Sequence, residues 1–531
     1  MNFTGSEVRQ FRRDGWWQEK TVGEIVHEHA SRQPGAVAFV EDATSTTWAQ
    51  YDVRADRLAA VLAGLFDVGD RVIVRFPDGA AVHIAYVAAE RAGLVVVGIG
   101  WRAGPAEVAH LAKLSGARGL VTQAGINGGR AGEGLGSLVH VAVPERADGE
   151  ILVGGRPAPP HDACEGWANR RLGPDDLFML NSTSGTTGLP KCVMHTQNRW
   201  FAFHRLALEA GAMSKDDVFL SAIPAPYGFG LWTAHFTPAI LGCATAVLPR
   251  FSVDGLVRSV QRDRITVLCC VSTQFIMLLN EAEENECDLS SLRVMFTGGE
   301  AVPYERARQF EELTGAVVLQ FYGSNETGAL SRTTLSDSPE RRFTTAGRVI
   351  PEMNVRLFAS ELPGRGQPGC RGPLLSLGYW EDPEANNQLF TDDGWMLTGD
   401  VVEVDGEGYL SVVGRTSDFI IRGGKNISAP AVEAEIAKHP SVSLVAAVGA
   451  PDPVFGERVA AFVTLRPDRQ LDLDDLRAHL QSKGVTKEWW PERLVVLDEM
   501  PRASGGKIAK GELRNLFTRD PGRNGQTKEE P

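Results

Sequence analysis

Helix-like and strand-like patterns alternate along most of this chain of 531 residues. Between residues 20 and 410, the stretches 52–65 and 85–92 have helical spacing, and short apolar runs at 71–74 and 94–97 read as strands. Such alternation is typical of helices layered on parallel sheets. The sequence therefore predicts the α/β class, with a large N-terminal domain of stacked α/β sheets.

The C-terminal part predicts a second, smaller unit. Alternating runs at Val401–Val404 and Tyr409–Val413 flank a turn-forming segment and predict a hairpin. The segment that follows, Gly414–Asp418, is short and polar and predicts a hinge. Beyond it we expect a small, mobile α+β lid domain and then a disordered polar tail. The expected ranges are 1–413 for the large domain, 414–418 for the hinge, 419–518 for the lid domain and 519–531 for the tail.

Bulk properties exclude several classes of protein. The formal net charge of -13 argues against a nucleic-acid partner, which normally calls for a basic surface. No apolar run reaches the roughly 18 residues of a membrane helix, and the N-terminus lacks the apolar core of a signal peptide. The seven cysteines form no C-x-x-C pair. We expect a cytoplasmic protein without a membrane span; its oligomeric state stays open, a homodimer being one option.

The segment Thr183–Lys191 has the composition of a phosphate-binding loop. It contains four hydroxyl side chains, two glycines and a lysine, directly after the strand-like run Leu177–Leu180. Free N–H groups, hydroxyls and a lysine point charge all favour phosphate oxygens. The common P-loop pattern fails because Leu189 and Pro190 separate the last glycine from Lys191. The sequence thus predicts a nucleotide site of another kind.

A second glycine-rich segment, Pro363–Pro373, is predicted to be a surface loop. Its Gly364-x-Gly366-x-x-Gly369 spacing formally matches a dinucleotide fingerprint. Pro368 and the missing strand–turn–helix context argue against that interpretation.

Five further segments carry groups that suit nucleotide chemistry. They offer glycines for close approach to a flat ring, an aromatic face, the carboxylate of Glu326 for Mg²⁺ and a lysine on a glycine loop. Taken singly, Glu326 could be a solvated loop acid and Lys507 an ordinary surface lysine. In this order and spacing, interpretations without a function for these residues become improbable. The segments are Phe296–Ala301, Phe321–Gly328, Asp393–Asp400, Gly414–Ile427 and Pro501–Ile508.

These motifs resemble those of the adenylate-forming superfamily, which includes acyl-CoA synthetases, firefly luciferase and peptide-synthetase adenylation domains. The resemblance covers about residues 20–516 and looks closest to acyl- or aryl-CoA ligases. It implies ATP and Mg²⁺, with coenzyme A as the further cosubstrate. It also implies a lid domain that rotates about the hinge between the two half-reactions, with Ser417 or Asp418 as the pivot.

The resemblance also implies residue roles. Lys507 would bridge the substrate carboxylate and the α-phosphate, Glu326 would hold Mg²⁺, and Thr327 would contact the α-phosphate. The catalytic set is Lys507, Glu326, Thr187 and Tyr227. The triphosphate positions are Thr183, Ser184, Gly185, Thr186, Thr187 and Lys191. The adenine segment comprises Gly299, Glu300, Ala301, Phe321, Tyr322 and Gly323; ribose falls to Asp400 and Arg415, and the pantetheine tunnel to Gly423 and Gly424, with Phe455 a candidate to stack on coenzyme A.

The acyl pocket is expected around the segment Pro224–Trp232, where Tyr227 matches the family's aromatic gate. Related enzymes place an aspartate or asparagine at Gly228 to pair with an amino or hydroxyl substituent, which glycine cannot do. An apolar, aromatic-rich lining suits an aromatic, alicyclic or hydrophobic acid, although some of these aromatics could simply be core. The positions are Tyr227, Gly228, Phe229, Trp232, Cys269, Phe296, Gly298, Ala329 and Leu330, joined by Phe321.

The expected activity is ATP-dependent formation of an acyl-adenylate with release of pyrophosphate, followed by thioester formation with coenzyme A. The chain would then be an acid–thiol ligase of secondary metabolism. Transfer to a carrier-protein pantetheine, and adenylation of nitrite to diazotise an aryl amine, stay open as alternatives. A catalytically silent nucleotide-binding protein is disfavoured because Lys507, Glu326 and Asp400 are present together. His195 and His235 are predicted to be structural.

Overall fold

The computed structural model confirms the α/β class and the division into a large N-terminal and a smaller C-terminal domain. Within the described residues, no helix is both long and apolar enough to cross a membrane. The described residues are 3–125, 135, 138–145, 148–158, 169–182, 190–299, 302–362, 364–415, 419–422, 425–502 and 508–519.

A nine-stranded sheet forms one layer of the large domain among the described residues. Its six central strands are parallel, and the two strands at one edge and the single strand at the other are antiparallel. The carboxyl ends of parallel strands therefore meet at one edge of this sheet, where α/β proteins bind their ligands. In spatial order the strands are Arg348–Val349, Gly328–Arg332, Val317–Ser324, Val294–Gly298, Val267–Cys269, Phe219–Ser221, Thr245–Val247, Val37–Glu41 and Thr44–Thr47.

An eight-stranded sheet forms the second layer. Its five central strands are parallel, and the strand Cys192–His195 returns antiparallel to Met179–Ser182. The chain between these two strands contains the predicted phosphate loop. The spatial order is Cys192–His195, Met179–Ser182, Val95–Gly98, Arg71–Arg75, Gly119–Gln123, Val139–Val143, Leu152–Val153 and Arg156–Pro157.

A smaller, antiparallel sheet corrects one expectation. The segment 363–373 is not a loop throughout, because Arg365–Cys370 is a strand that pairs with Arg356–Leu362 and Asp400–Val404. Gly369 lies under the ring of Phe358, where a Cβ would come within 2.6 Å of Cε2. Close packing between strands, and not a turn, therefore requires glycine at this position. The sheet is completed by Leu410–Arg415, which forms the predicted hairpin, and by Met396–Leu397.

Helices cover and separate the sheets. Thr4, Thr21 and Thr47 each begin a helix with a capping box, in which a Glu or Gln three residues later bonds back to the cap. Among the residues that the structure describes, the α-helices of the large domain are Gly5–Arg13, Val22–Arg32, Trp48–Leu65, Ala80–Arg91, Pro105–Ser115, Gln197–Gly211, Gly228–Gly230, Thr237–Leu241, Val253–Asp263, Ser272–Glu284, Tyr304–Thr314, Pro339–Thr344 and Pro383–Leu389, with a π-helical turn at Leu231–Phe236 and a 3₁₀ turn at Pro351–Met353.

The core of the large domain joins its two main sheets. One hydrophobic cluster contains Val72 and Val96 from the eight-stranded sheet, Phe219 and Val267 from the nine-stranded sheet, and much of the helix Ala80–Arg91. That helix is buried along almost its whole length, as expected of an element covered on more than one side.

The small domain has a sheet and hydrophobic clusters of its own. Phe419–Arg422 and Lys425–Ser428 form a hairpin beside the long antiparallel pair Val442–Asp452 and Gly456–Leu465, and Arg493–Val496 joins in parallel. Its helices are Ala429–Ile436, Leu473–Ser482 and Lys510–Arg519, with a 3₁₀ turn at Lys487–Trp489. The exact limits that we expect for the hinge and the two domains stay predictions.

Candidate active site

The predicted pocket and nucleotide positions gather at the carboxyl ends of the parallel strands. Cys269 pairs with Ser221 on one side and with Phe296 on the other, and Gly298 pairs with Phe321. Residues that are far apart in sequence thus lie on neighbouring strands of one sheet. The topology brings them together because every one of these strands runs in the same direction.

On the nucleotide side, Tyr322 and Asp400 are in direct contact. The Tyr322 hydroxyl donates to Oδ2 of Asp400 over 2.7 Å, and Asp400 is buried. Gly323 follows on the same strand, where a Cβ would lie 1.7 Å from the carbonyl oxygen of Gly328, so only glycine fits. The two groups assigned by resemblance to adenine and ribose therefore form one polar wall next to a strand position, Gly323, that admits no side chain.

The turn Ser324–Thr327 presents Glu326. The amide of Ser324 donates to Oγ1 of Thr327 over 3.0 Å, and the amide of Thr327 donates back to Oγ of Ser324 over 3.1 Å. Thr327 is fully buried, whereas Glu326 is only partly buried. Reciprocal bonds of this kind fix the turn between the paired strands Val317–Ser324 and Gly328–Arg332, so the carboxylate of Glu326 extends from a rigid support.

Tyr379 connects Glu326 to Lys191, and the sequence analysis missed it. Its hydroxyl donates to Oε1 of Glu326 over 2.7 Å, and Nζ of Lys191 lies 4.8 Å from the centre of its ring. Burial, and then the charge of Glu326, raise the pKa of Tyr379, so the phenol keeps its proton and acts as a donor. An aromatic residue after a glycine in a loop carries no signal in the sequence that would mark such a bridge.

A buried polar network lies beneath this turn. Arg199 donates to Nδ1 of His195 over 2.6 Å and to the carbonyl of Asn325 over 2.8 Å, and His195 bonds through Nε2 to Asn181 over 2.7 Å. Asn181 also donates to the carbonyl of Pro226 over 3.0 Å. Since Asn181 precedes the phosphate segment, the network joins that segment to the Glu326 turn and to the gate.

The charges of this network follow from its burial. Burial lowers the pKa of Arg199 to about 9, and burial together with Arg199 holds the pKa of His195 well below its usual range. A neutral imidazole next to a guanidinium accepts its hydrogen bond without adding a second buried charge. His195 therefore has the structural role expected from the sequence. The roles of Arg199, Asn181 and Asn325 in the network were not predicted from the sequence.

The aromatic residues predicted to line the acyl pocket form a cluster together with Phe203. We define this aromatic cluster as Phe203, Phe229, Trp232, Phe296 and Phe321. Phe296 stacks on Phe321 with ring centres 5.5 Å apart, and Trp232 meets Phe296 edge-on at 5.1 Å. Phe229 lies across Gly298, where a Cβ would come within 2.9 Å of its Cζ. Phe321 thus belongs to the acyl side, on the opposite face of its strand from Tyr322.

The remaining pocket positions close the cluster. Cys269 and Leu330 are fully buried, and Ala329 is 2% exposed. A Cβ at Gly228 would lie 3.3 Å from the indole of Trp200, so an Asp or Asn there would meet that ring. Trp232 belongs to the π-helical turn Leu231–Phe236, a rare geometry that occurs often at functional sites.

The gate segment Pro224–Tyr227 is tied down from two sides. The amide of Ala225 donates to Oδ1 of Asp78 over 2.8 Å, and the carbonyl of Pro226 accepts from Asn181. A Cβ at Gly100 would lie 2.8 Å from the Tyr227 hydroxyl, so the glycine leaves room for the tyrosine. The backbone that precedes Tyr227 is thereby fixed relative to the eight-stranded sheet, to which Asn181 belongs.

Several predicted site residues lie outside the described residues. For Arg415 only the backbone is described; it ends its strand opposite Asp400. Gly299, at the end of its strand, has a φ of 79°, a conformation that favours glycine. The predicted positions outside the described residues are Thr183, Ser184, Gly185, Thr186, Thr187, Glu300, Ala301, Gly423, Gly424 and Lys507, with the two candidate pivots Ser417 and Asp418.

Comparison with protein families finds two matches along this chain. Residues 26–380 match the family described as AMP-binding enzyme, and residues 431–507 match the AMP-binding enzyme C-terminal domain.

Individual proteins are similar over almost the whole chain. A salicylyl-CoA synthase/salicylate adenylyltransferase of a Streptomyces species is 32% identical and aligns with 96% of this chain and 95% of its own. The medium-chain fatty-acid–CoA ligase of Escherichia coli is 28% identical and aligns with 98% of this chain and 94% of its own. Among solved structures, the amide bond synthetase McbA of Marinactinospora thermotolerans is 26% identical, with a TM-score of 0.80 over 94% of this chain and all of its own.

Proposed function

The chain belongs to the family of AMP-binding enzymes and is an acid–thiol ligase, and we propose that its acid is compact and aromatic or alicyclic and its thiol is coenzyme A. The aromatic cluster carries the proposal about the acid. Its rings are 4.9–6.2 Å apart and four of the five are buried, which leaves flat, rigid walls suited to a ring of similar shape.

In the proposed first half-reaction, a carboxylate oxygen of the acid attacks the α-phosphorus of ATP and pyrophosphate leaves. Both reactants are anionic, so the protein has to position them and neutralise charge as it develops. We assign the second task to Lys507 and the phosphate segment at 183–191. Tyr322 and Asp400 would orient the nucleoside, with the carboxylate accepting from ribose hydroxyls.

The described residues fit a magnesium ion at Glu326. The carboxylate stands on a fixed turn close to Lys191, and Tyr379 orients one of its oxygens. Mg²⁺ takes one or two protein carboxylates together with phosphate oxygens, so a single glutamate is sufficient. When bound, the ion neutralises the charge on the phosphates during displacement. Arg199 would hold Glu326 in place through the carbonyl of Asn325.

In the proposed second half-reaction, the thiol attacks the acyl carbon and AMP leaves. The small domain offers a group that suits the nucleotide end of coenzyme A. The ring of Phe455 is 36% exposed, and the guanidinium carbons of Arg422 and Arg458 lie 4.8 and 5.0 Å from its centre. An aromatic surface with two cations beside it is the chemistry that binds a base and its phosphates.

A panel of acids tests the substrate proposal. Pyrophosphate release would be measured with benzoates, alicyclic acids, medium-chain fatty acids and nitrite, each with and without coenzyme A. We expect the highest kcat/KM with ring acids and multiple turnovers only when coenzyme A is present. A preference for fatty acids would contradict the assignment of the acid. A preference for nitrite would instead favour the diazotising alternative.

A comparison of thiols tests the acceptor. Pantetheine lacks the nucleotide of coenzyme A, so Phe455→Ala should raise the KM for coenzyme A about tenfold while leaving that for pantetheine unchanged. Val454→Ala, at a 78% exposed neighbour, is the control. Equal use of both thiols by the unsubstituted enzyme would count against coenzyme A and favour a carrier-protein acceptor. For either acceptor, we propose that the protein is cytoplasmic.

A further inference from the structure

The surface through which the small domain meets the large domain includes two arginines, one in an attractive contact and one near a like charge. The attractive contact is made by Arg502, which donates to Oγ1 of Thr273 over 2.7 Å and to the sulfur of Met277 over 3.5 Å. Thr273 and Met277 are four residues apart on one face of the helix Ser272–Glu284, which we call the docking helix.

The docking helix is connected directly to the acyl pocket. It begins three residues after Cys269, at the carboxyl end of a central strand. Gln274, next to Thr273, donates to the carbonyl of Ala222 over 2.7 Å, just before the gate segment. The position of Thr273 is therefore set by the same strand ends that build the pocket, and Arg502 binds to a fixed part of the site.

Arg502 is also held by the small domain. It forms an antiparallel bridge with Ile508, and the amide of Ala509 donates to the carbonyl of Pro501 over 2.8 Å. Ile508 packs against the small-domain cluster that contains Met500 and Leu513. The bridged pair is thus held by the small domain through Ile508 and by the docking helix through Arg502. Lys507 is the residue before Ile508 in the chain.

The like charges lie on the same surface. Arg466 directly follows the strand Gly456–Leu465, and its Nε donates over 3.4 Å to the carbonyl of Val442, on the strand whose Leu444 contacts the large domain. Burial, and then the charge of Arg466, lower the pKa of Arg306 in the large domain. Arg306 is 9% exposed and pairs with Glu283 at 3.3 Å. One apolar side chain, Leu444, packs against the large-domain cluster that contains Phe275. Two like charges at a partly desolvated junction weaken it.

We propose that Arg502 is a positioning residue for adenylation, which latches the small domain onto the docking helix, and that Arg466 facing Arg306 keeps this latch weak enough to open. The inference rests on the proposed function, in which Lys507 serves only the first half-reaction. When the small domain rotates, the bonds from Arg502 to Thr273 and Met277 break and the repulsion between Arg466 and Arg306 is relieved. The two arginines therefore bias one equilibrium in opposite directions.

The test separates the half-reactions. Acid-dependent exchange of pyrophosphate into ATP reports adenylation, and single-turnover conversion of prepared acyl-adenylate by coenzyme A reports thiol transfer. Arg502→Met should slow exchange about tenfold, because it removes a hydrogen bond from a charged donor, and should leave transfer unchanged or faster. Arg466→Gln should slow transfer about threefold and leave exchange unchanged or faster. Arg469→Ala, at an exposed arginine of the same domain, should change neither.

A distance measurement makes the test independent of activity. Spin labels attached through an unnatural amino acid at the exposed positions Val53 and Val454 report the separation of the domains by pulsed EPR. Arg502→Met should reduce the population with the separation seen here, and Arg466→Gln should increase it. Absence of exchange with every acid would refute the proposed function, while the EPR populations would still decide on the latch.

A second variant keeps the proposal testable if Arg502→Met impairs folding. Thr273→Val removes the acceptor of Arg502, so its effect on exchange should not add to that of Arg502→Met in a double-mutant cycle. The proposal is overturned if Arg502→Met slows both half-reactions equally with unaltered EPR populations. It is also overturned if the effects of Arg502→Met and Thr273→Val are additive, or if Arg466→Gln shifts the populations in the same direction as Arg502→Met.

Discussion

The aromatic cluster and the domain junction are built in opposite ways. In the cluster, Trp232 and Phe296 are fully buried, and each ring has at least two aromatic neighbours or a backbone strand against it. At the junction, the described side-chain contacts include Leu444, the bonds of Arg502 and a hydrogen bond from Ser428 to the carbonyl of Val413, and the like charges of Arg306 and Arg466 lie near each other. The cluster is part of a protein core, whereas the junction resembles a small transient interface.

The difference matches the two tasks of a ligase that works in steps. A close-packed core cannot deform gradually, so it holds one shape and, in the role that we propose for it, would select acids by fit. A junction with few apolar contacts opens at low cost, which a domain that must serve two half-reactions requires. Substitutions in the cluster should therefore affect stability and the choice of acid, whereas substitutions at the junction should affect individual half-reactions.

Lys507→Ala should give the largest effect. We expect acid-dependent pyrophosphate exchange to fall about 1000-fold, because a charge that stabilises the transition state is removed. Binding of ATP should remain, since the nucleotide contacts assigned to Tyr322 and Asp400 belong to the large domain. Exchange kinetics together with calorimetric titration of ATP would check both parts. Normal pyrophosphate release by the variant would contradict the assignment of Lys507 and, with it, the division of labour between the domains.

Phe296→Ala should give the next largest effect, this time on stability. Removing a fully buried phenyl ring leaves a cavity and costs about 3 to 4 kcal/mol of unfolding free energy. The acid preference should also shift towards larger acids, because the proposed pocket would gain the volume of the lost ring. Urea denaturation and the acid panel would measure the two effects.

Phe310→Ala is the matched control for the cluster. Phe310 is equally buried but belongs to a different hydrophobic cluster of the large domain. We expect a similar loss of stability without a change in acid preference. The same shift in preference from both variants would mean that general loosening, and not the shape of the aromatic cluster, selects the acid.

Asp400→Asn should have a moderate effect confined to the nucleotide. Loss of the charged acceptor should raise the KM for ATP about tenfold. The penalty for 3′-deoxy-ATP relative to ATP should shrink in the variant, because the missing hydroxyl no longer loses a strong acceptor. Tyr322→Phe, which removes the donor to Asp400, should raise the KM less and keep the penalty for the deoxy analogue. An undiminished penalty in Asp400→Asn would remove the ribose assignment.

The sequence predicted much of this arrangement where local pattern and topology agree. Runs such as 71–74 and 94–97 became parallel neighbours, and parallel strands bring Cys269, Phe296 and Phe321 to one edge. Contacts that depend on side chains meeting across the fold escaped prediction. Arg199 reads as an ordinary helix residue, and Arg502 as one arginine among many, until the chain is folded. The segment 363–373 misled because glycine and proline indicate turns in sequence but here allow strands to pack closely.

The smallest effect is expected at Asp78, which holds the gate segment beside the aromatic cluster. Burial raises the pKa of its carboxyl to about 6, while its Oδ1 accepts from the amide of Ala225. The folded protein then retains a proton between pH 4 and 6 that the unfolded chain, with a pKa of about 4, has released. The contribution of Asp78 to the free energy of unfolding should therefore fall as the pH rises from 4 to 6 and stay level above pH 6.

Asp78→Asn isolates this contribution. The amide oxygen can still accept from Ala225, but the ionisation is gone, so the variant should gain about 1 kcal/mol over the unsubstituted protein above pH 6 and almost nothing at pH 4. Urea denaturation at several pH values would measure the difference, with Asp67→Asn, at an 89% exposed carboxyl, as a control that should show none. If the difference in unfolding free energy between the variant and the unsubstituted protein did not vary between pH 4 and 6, packing alone would hold the gate segment, as it holds the aromatic cluster.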